Sequence, residues 1–196
     1  MSAALLIVDV QNDFCPGGAL PTPQGDKVVP VLNKLMDKFS TIIASRDWHP
    51  ENTNHFDKWP VHCVRQTHGA AFPSELRTEK IDQIFEKGTG NKDDGYSAFE
   101  ATNYNLELYL REKKINELFV TGLTAEYCVK STVLDALKLG IKTFVIKEAV
   151  EGIRARKDDF EKSFVEMEKA GAFIINDWKE IPKQYIERVK KKDLIM

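Results

Sequence analysis

The chain is poor in several things, and each shortage removes a class of protein. It has only 3 cysteines, Cys15, Cys63 and Cys128, an odd number with no C-x-x-C spacing, which argues against a disulfide framework or a zinc finger. It has no excess of one charge: 28 basic residues face 30 acidic ones, for a formal net charge of -2. A nucleic-acid binder would show a basic face, and the one dense basic run is Lys190-Lys191-Lys192, read as a solvated helix end or tail. It has no apolar stretch near the ~20 residues of a membrane span. The apolar start, Met1 to Val8, is cut short by Asp9 and lacks the basic n-region and long h-region of a signal peptide. Together these shortages predict a soluble, cytoplasmic protein with free thiols that binds neither nucleic acid nor membrane. A homo-oligomer is compatible with everything above.

What is present suits one ordinary core. With 196 residues and 42% hydrophobic residues, the chain predicts a single domain over 1–196. No internal repeat or low-complexity segment interrupts it. Short β-rich apolar runs at Ala4–Val8, Thr41–Ala44, Gln83–Glu86, Leu118–Thr121, Lys142–Ile146 and Ala172–Ile175 alternate with helical patterns. The helical signals are Val28, Val29, Leu32, Leu35, Met36 and Phe39; Leu106 to Leu110; Val129 to Leu139, with Gly140 at the C′ position; and Phe160, Phe164 and Met167. The alternation predicts an α/β fold: a doubly wound, mostly parallel six-stranded sheet with helices on both faces. In such sheets the ligand crevice lies beyond the carboxyl ends of the strands.

Those ends carry reactive residue types. Asp9 follows the first run, Asp47 and His49 follow the second, Lys87 the third, and Cys128 comes shortly after the fourth. Taken singly each has a plain reading: the Asp caps a helix, the Lys is a solvated charge, the Cys is a small core residue. Their gathering at one edge of one sheet is harder to explain that way. Cys128, expected in the first turn of the helix to Leu139, gains thiolate character from the helix end and from the Lys87 ammonium. Asp9 is placed to take the thiol proton and return it to a leaving ammonia. Backbone N–H groups around Thr124 and Cys128 are candidates for an oxyanion hole.

A second constellation is metallic. All 4 histidines, His49, His55, His62 and His68, fall between the second and third runs. Asp47 and His49 are two apart, so extended backbone puts both on one side. One Asp with two or three His fits one divalent ion, zinc first, with iron or manganese also accepted by such a set. The plain alternative is an Asp–His pair among scattered surface histidines. His68 has no evident partner and reads as a loop residue. The stretch Lys87-Gly88-Thr89-Gly90-Asn91-Lys92 misses the phosphate-loop spacing, and Asp93 and Asp94 would repel phosphate, so it reads as a flexible turn.

Five stretches in this order resemble the nicotinamidase (pyrazinamidase) branch of the isochorismatase-like cysteine hydrolases. They are DVQNDFCPGGAL from Asp9, Asp47-Trp48-His49-Pro50, WPVHCVRQTHGA from Trp59, Lys87-Gly88 ahead of Tyr96-Ser97-Ala98-Phe99, and Gly122 to Val129. The resemblance implies a metal-dependent amidohydrolase that converts nicotinamide, and pyrazinamide, to the acid and ammonia through a Cys128 thioester, in NAD salvage. By resemblance Asp9, Lys87 and Cys128 form the triad. Asp47, His49 and His62 are metal ligands, with His55 at an additional or water-mediated position. Phe14, Trp59, Tyr96 and Tyr127 are walls around a pyridine ring, and the Leu123–Thr124 peptide is cis. The chain departs from the family pattern at Thr124-Ala125-Glu126, where A-T-D is usual, so a longer acid stands two residues before Cys128. A sister amidase acting on carbamoyl or ureido substrates is the alternative, since it would share Asp, Lys and Cys while leaving the metal segment without a purpose.

Overall fold

The computed structural model describes residues 2–182 and Tyr185; the lysine run at 190–192 lies outside the described residues. Six strands, β1 (Ser2–Val8), β2 (Ile42–Asp47), β3 (Gln83–Lys87), β4 (Ile115–Leu123), β5 (Lys142–Glu151) and β6 (Phe173–Ile175), form one sheet in the order β3-β2-β1-β4-β5-β6. Every pairing is parallel. The order reverses direction at β1, so the crevice of a doubly wound sheet opens between the ends of β1 and β4.

Among the described residues the sheet is covered by the helices α1 (Val28–Met36), α2 (Leu106–Glu112), α3 (Lys130–Lys138) and α4 (Asp159–Lys169). The alternation of β1 shows why two faces are needed. Leu5 and Ile7 point to one core with Val28, Leu32 and Leu35 of α1. Ala4, Leu6 and Val8 point to the other, with Leu106 and Leu110 of α2, Val133 of α3 and Phe164 of α4. Each large aliphatic side chain buried in these layers contributes on the order of 1.5–3 kcal/mol. Among the described residues no helix is long and apolar enough to cross a membrane.

The strands run further than their apolar cores. β2 continues through Arg46 and Asp47, and β3 through Lys87, because the ladder pairs Arg46 with Glu86 and Asp47 with Lys87. Polar residues thus end these strands, where an apolar run cannot reveal them. The helix expected from Val129 also starts differently. Thr124 O accepts from both Tyr127 N and Val129 N at 3.1 Å, which opens a wide π-helical turn over Ala125–Val129 before α3 begins. Gly140 follows α3 at φ 73°, as expected of a C′ glycine.

Candidate active site and metal centre

The carboxyl ends of four adjacent strands deliver four functional side chains in spatial order. Lys87 ends β3, Asp47 ends β2, Asp9 follows β1 and Cys128 lies in the turn after β4. Asp9 takes φ 47°, a left-handed conformation that Asp tolerates better than most residues, and this turns its carboxylate across the crevice. Ser45 Oγ donates to Asp9 Oδ1 at 2.8 Å. Lys87, fully buried, lies 2.8 Å from Asp9 Oδ2 and donates to Asp47 Oδ1 at 2.5 Å, Gly95 O at 2.6 Å and Cys128 Sγ at 3.4 Å. Among the described residues Asp9 Oδ2 nonetheless receives no well-directed hydrogen bond. Ligand atoms of Asp9, Asp47 and Cys128 lie within 4.8 Å of one another.

The charges in this cluster decide who holds the proton. Burial opposes the Lys87 ammonium, but Asp47 and Asp9 outweigh it and hold its pKa well above the ordinary lysine value. Burial likewise opposes the Asp47 carboxylate, yet Lys87, with His49 and His62, holds it below the ordinary range. With Lys87 already neutralised by Asp47, a second anion gains less. Burial raises Asp9 to about 6, against the pull of Lys87. Burial also holds the Cys128 thiol well above its ordinary value, with Lys87 opposing and Asp9 and Asp47 adding to the rise. Lys87 pulls toward the thiolate, as expected, but burial outweighs that pull, so a neighbouring base such as Asp9 is needed to take the proton.

The metal-ligating types converge next to this cluster. One ring nitrogen from each of His49, His55 and His62 lies within 4.8 Å of the others, and all three residues are buried. Their tautomers follow from their partners. His49 Nδ1 meets Gly88 O at 2.9 Å, His62 Nδ1 meets Pro60 O at 2.7 Å and His55 Nδ1 meets an Asp93 carboxylate oxygen at 3.0 Å. Carbonyl and carboxylate oxygens only accept, so each Nδ1 donates and each Nε2 keeps its lone pair. His49 Nε2 is buried with no hydrogen-bond partner among the described residues, and Asp47 Oδ2 lies 3.7 Å from it and 3.9 Å from His62 Nε2. Burial lowers the pKa values of His55 and His62, which favours the neutral, ligating form. An orphaned imidazole nitrogen facing two more and a carboxylate oxygen fits a divalent ion. Asp47 serves both halves, one oxygen on Lys87 and the other toward the imidazoles.

Phe14, Trp59, Tyr96 and Tyr127, expected as walls, line one pocket with Asp47, His55, His62, Thr124 and Cys128. Trp59 meets Tyr127 edge-on at 4.9 Å, and Phe14 lies 5.4 Å from the His62 ring. The Leu123–Thr124 peptide is cis. His68 stays outside, exposed in its loop, where its carbonyl accepts from Asn12 Nδ2.

Several contributors escaped the sequence reading. Leu20, Gly95 and Ile153 also line the pocket. Gln11 grips Asp47 through both backbone groups, donating to its carbonyl at 2.8 Å and accepting from its N–H at 2.7 Å. Asp13 Oδ2 accepts from Cys63 N at 2.7 Å beside His62. The stretch after Lys87 is not a bare turn. Gly88 carries the carbonyl that holds His49, and at φ 63° a Cβ there would stand 2.4 Å from His49 Cε1. Asp93 gathers His55, Tyr96 and Lys58, and these donors, the Lys58 ammonium foremost, lower its pKa to about 2. Glu126 accepts from Ile153 N at 3.1 Å and Arg154 N at 2.8 Å.

Comparison with known proteins places the chain in a family. The family model described as the isochorismatase domain matches residues 3–177. A nicotinamidase of Escherichia coli (strain K12) is 40% identical over 206 residues, covering 90% of this chain and 97% of that protein. A pyrazinamidase of Pyrococcus horikoshii, solved in complex with zinc, is 40% identical with a TM-score of 0.81, covering 90% of this chain and 99% of that one. A nicotinamidase/pyrazinamidase of Acinetobacter baumanii is 34% identical with a TM-score of 0.83, covering 89% and 96% respectively.

Proposed function

The chain belongs to the isochorismatase family, and from that premise we propose that it is a nicotinamidase: a metal-dependent amidohydrolase converting nicotinamide to nicotinate and ammonia, and pyrazinamide likewise, for NAD salvage. The observation that carries the reading is the common wall. Cys128 shares one pocket with two imidazoles of the metal cluster and four aromatic rings, so a flat ring bearing both a carboxamide and a ring nitrogen meets both halves at once.

The chemistry follows from the proton count above. Asp9, ionised above about pH 6, takes the Cys128 proton as the sulfur attacks the amide carbon. Lys87 stays an ammonium and offsets the negative charge that passes between Asp9 and the sulfur. Backbone N–H groups at Thr124 and Cys128 receive the carbonyl oxygen as it becomes an oxyanion. The C–N bond breaks, Asp9 gives its proton to the departing ammonia, and the acyl group remains on Cys128 as a thioester. Water then attacks this thioester, Asp9 takes the water's proton, the C–S bond breaks and the thiol reforms as nicotinate leaves. Asp47, His49, His62 and His55 would hold the ion, zinc by analogy with the Pyrococcus horikoshii protein. Once bound, the ion supplies a Lewis-acidic anchor for a ring nitrogen.

The alternative, a carbamoyl or ureido amidase, uses the same triad but has no need of three converging imidazoles or a ring of aromatic walls. The deciding measurement is the specificity constant of the zinc-loaded protein for nicotinamide, benzamide and a carbamoyl amino acid. Benzamide keeps the ring and loses the ring nitrogen, so we expect it to be at least ~100-fold poorer, since each ~1.4 kcal/mol is tenfold. Preference for the carbamoyl compound would replace this reading with the alternative.

A further inference from the structure

Three of the rings that line the pocket are tied together by one acid that does not line it. Trp59 Nε1 donates to Tyr96 Oη at 3.0 Å, and Tyr96 Oη donates to Asp93 Oδ1 at 2.8 Å. The same Oδ1 accepts from His55 Nδ1 at 3.0 Å. The other carboxylate oxygen faces the exposed Lys58 ammonium. His55, Tyr96 and Trp59 are all pocket residues; Asp93 stands behind them.

Each link has a physical consequence. A carboxylate oxygen can only accept, so it fixes His55 as the Nδ1–H tautomer and aims the Nε2 lone pair at the cluster with His49 and His62. The phenol and the indole on the other side lose rotational freedom through the same atom. His55 also lies flat against His49, with ring centroids 4.5 Å apart, and nearly parallel to Trp59 at 6.3 Å. A shift of His55 therefore disturbs a metal ligand and an aromatic wall together.

We infer that Asp93 is a positioning residue that sets both halves of the binding site through one oxygen, holding His55 for the metal and Tyr96 with Trp59 for the ring. Its effect on substrate rests on the nicotinamidase reading; its effect on the metal does not. Among the described residues the hydrogen bonds and ion pairs of Asp93 go to His55, Tyr96 and Lys58 and not to the Cys128 cluster, so the role belongs to binding rather than to bond making.

The test compares Asp93→Ala, Asp93→Asn and Lys58→Ala with the parent protein. Zinc affinity is read by competition with a chromogenic chelator, and KM and kcat for nicotinamide are read on zinc-saturated protein. Asp93→Ala is expected to weaken zinc ~10–100-fold, as loss of a histidine's outer partner does. It should raise KM about fivefold or more, with kcat changed less than KM. Asp93→Asn keeps the bridging oxygen and should recover most of both losses, while Lys58→Ala should stay within about twofold of the parent. Parental zinc affinity and KM in Asp93→Ala would overturn the inference. So would a Lys58→Ala protein as impaired as Asp93→Ala, or a folded Asp93→Asn no better than alanine. Should the parent bind zinc yet leave nicotinamide intact, the nicotinamidase reading falls alone, and the zinc competition still decides Asp93.

Discussion

The reactive half and the metal half of the site are built by different means. Asp9, Asp47 and Lys87 are carried by strand ends whose register is fixed by the ladder, Asp47 directly opposite Lys87. His49, His55 and His62 hang on a loop that is held by a second loop, through Gly88, Gly90 and Asp93. Strand register is set by whole rows of buried side chains, and a single substitution does not move it. Loop geometry is set by individual hydrogen bonds, and one substitution does. Changes in the reactive half should therefore alter chemistry without altering position, whereas changes around the metal half should alter position, occupancy and KM. Asp47 alone belongs to both.

The sharpest separation comes from Cys128→Ala. Removing the nucleophile should lower turnover at least ~10⁴-fold, while zinc content and the melting temperature stay near those of the parent, because the imidazoles are held by Gly88, Asp93 and Pro60 and the sulfur bonds to Lys87. Ammonia release and metal analysis on the same sample report both quantities. Loss of zinc with the thiol would mean that the two halves are one unit.

Asp47→Asn should break the comparison by striking both halves, and His49→Ala should restore it by striking one. Asparagine leaves Lys87 buried beside a neutral group and weakens a metal ligand, so we expect a loss of ~1,000-fold that excess zinc does not repair. His49→Ala leaves the Lys87 pairs intact, and its loss, ~100-fold at limiting zinc, should shrink as zinc is raised. Equal response of both variants to added zinc would remove Asp47 from the reactive half.

Within the reactive half, the pH profile isolates Asp9. Burial raises its pKa to about 6, and only the ionised form accepts the thiol proton. kcat/KM should fall as pH drops through about 6, approaching tenfold per unit below it. Asp9→Asn should cut the rate ~100-fold and abolish that limb. A limb that survives in Asp9→Asn belongs to another group.

The difference between the halves also explains what the sequence made legible. The parallel six-stranded sheet, its helices on both faces and the four strand-end residues follow from apolar runs and from the rule that ligands sit beyond strand ends; the strand order does not. The candidate ligand histidines stand out because they are few and crowded between β2 and β3. What stayed hidden is what the chain's linear order scatters. Asp93 lies 38 residues from His55, and Gly88 lies 39 from His49. Gly88 acts through its backbone carbonyl, which no residue type advertises. The balance at Cys128 is hidden for a similar reason: the pull of Lys87 is visible in sequence, but the depth of burial that outweighs it is not.

The smallest expected effect lies where the two halves meet the pocket wall. Glu126, the longer acid of the nucleophile turn, reaches across to accept the N–H groups of Ile153 and Arg154. Gly152 leaves room for it, since a Cβ there would stand 2.4 Å from Glu126 Oε2. Ile153 lines the pocket, so this acid ties the wall to the turn that carries Cys128. Hydrogen bonds to a charged acceptor contribute about 1.5–3 kcal/mol each when buried. Arg154 is exposed and water replaces part of its share, so the net cost of Glu126→Ala should be near ~1.4 kcal/mol, or tenfold. Because the wall and not the nucleophile loosens, that factor should appear in KM, with kcat within a few-fold and zinc affinity unchanged. Glu126→Gln keeps an acceptor oxygen for one of the two N–H groups and should fall between. A kcat loss larger than the KM rise would show instead that Glu126 sets the position of Cys128 itself, and the acid would then belong with the strand-end half of the site.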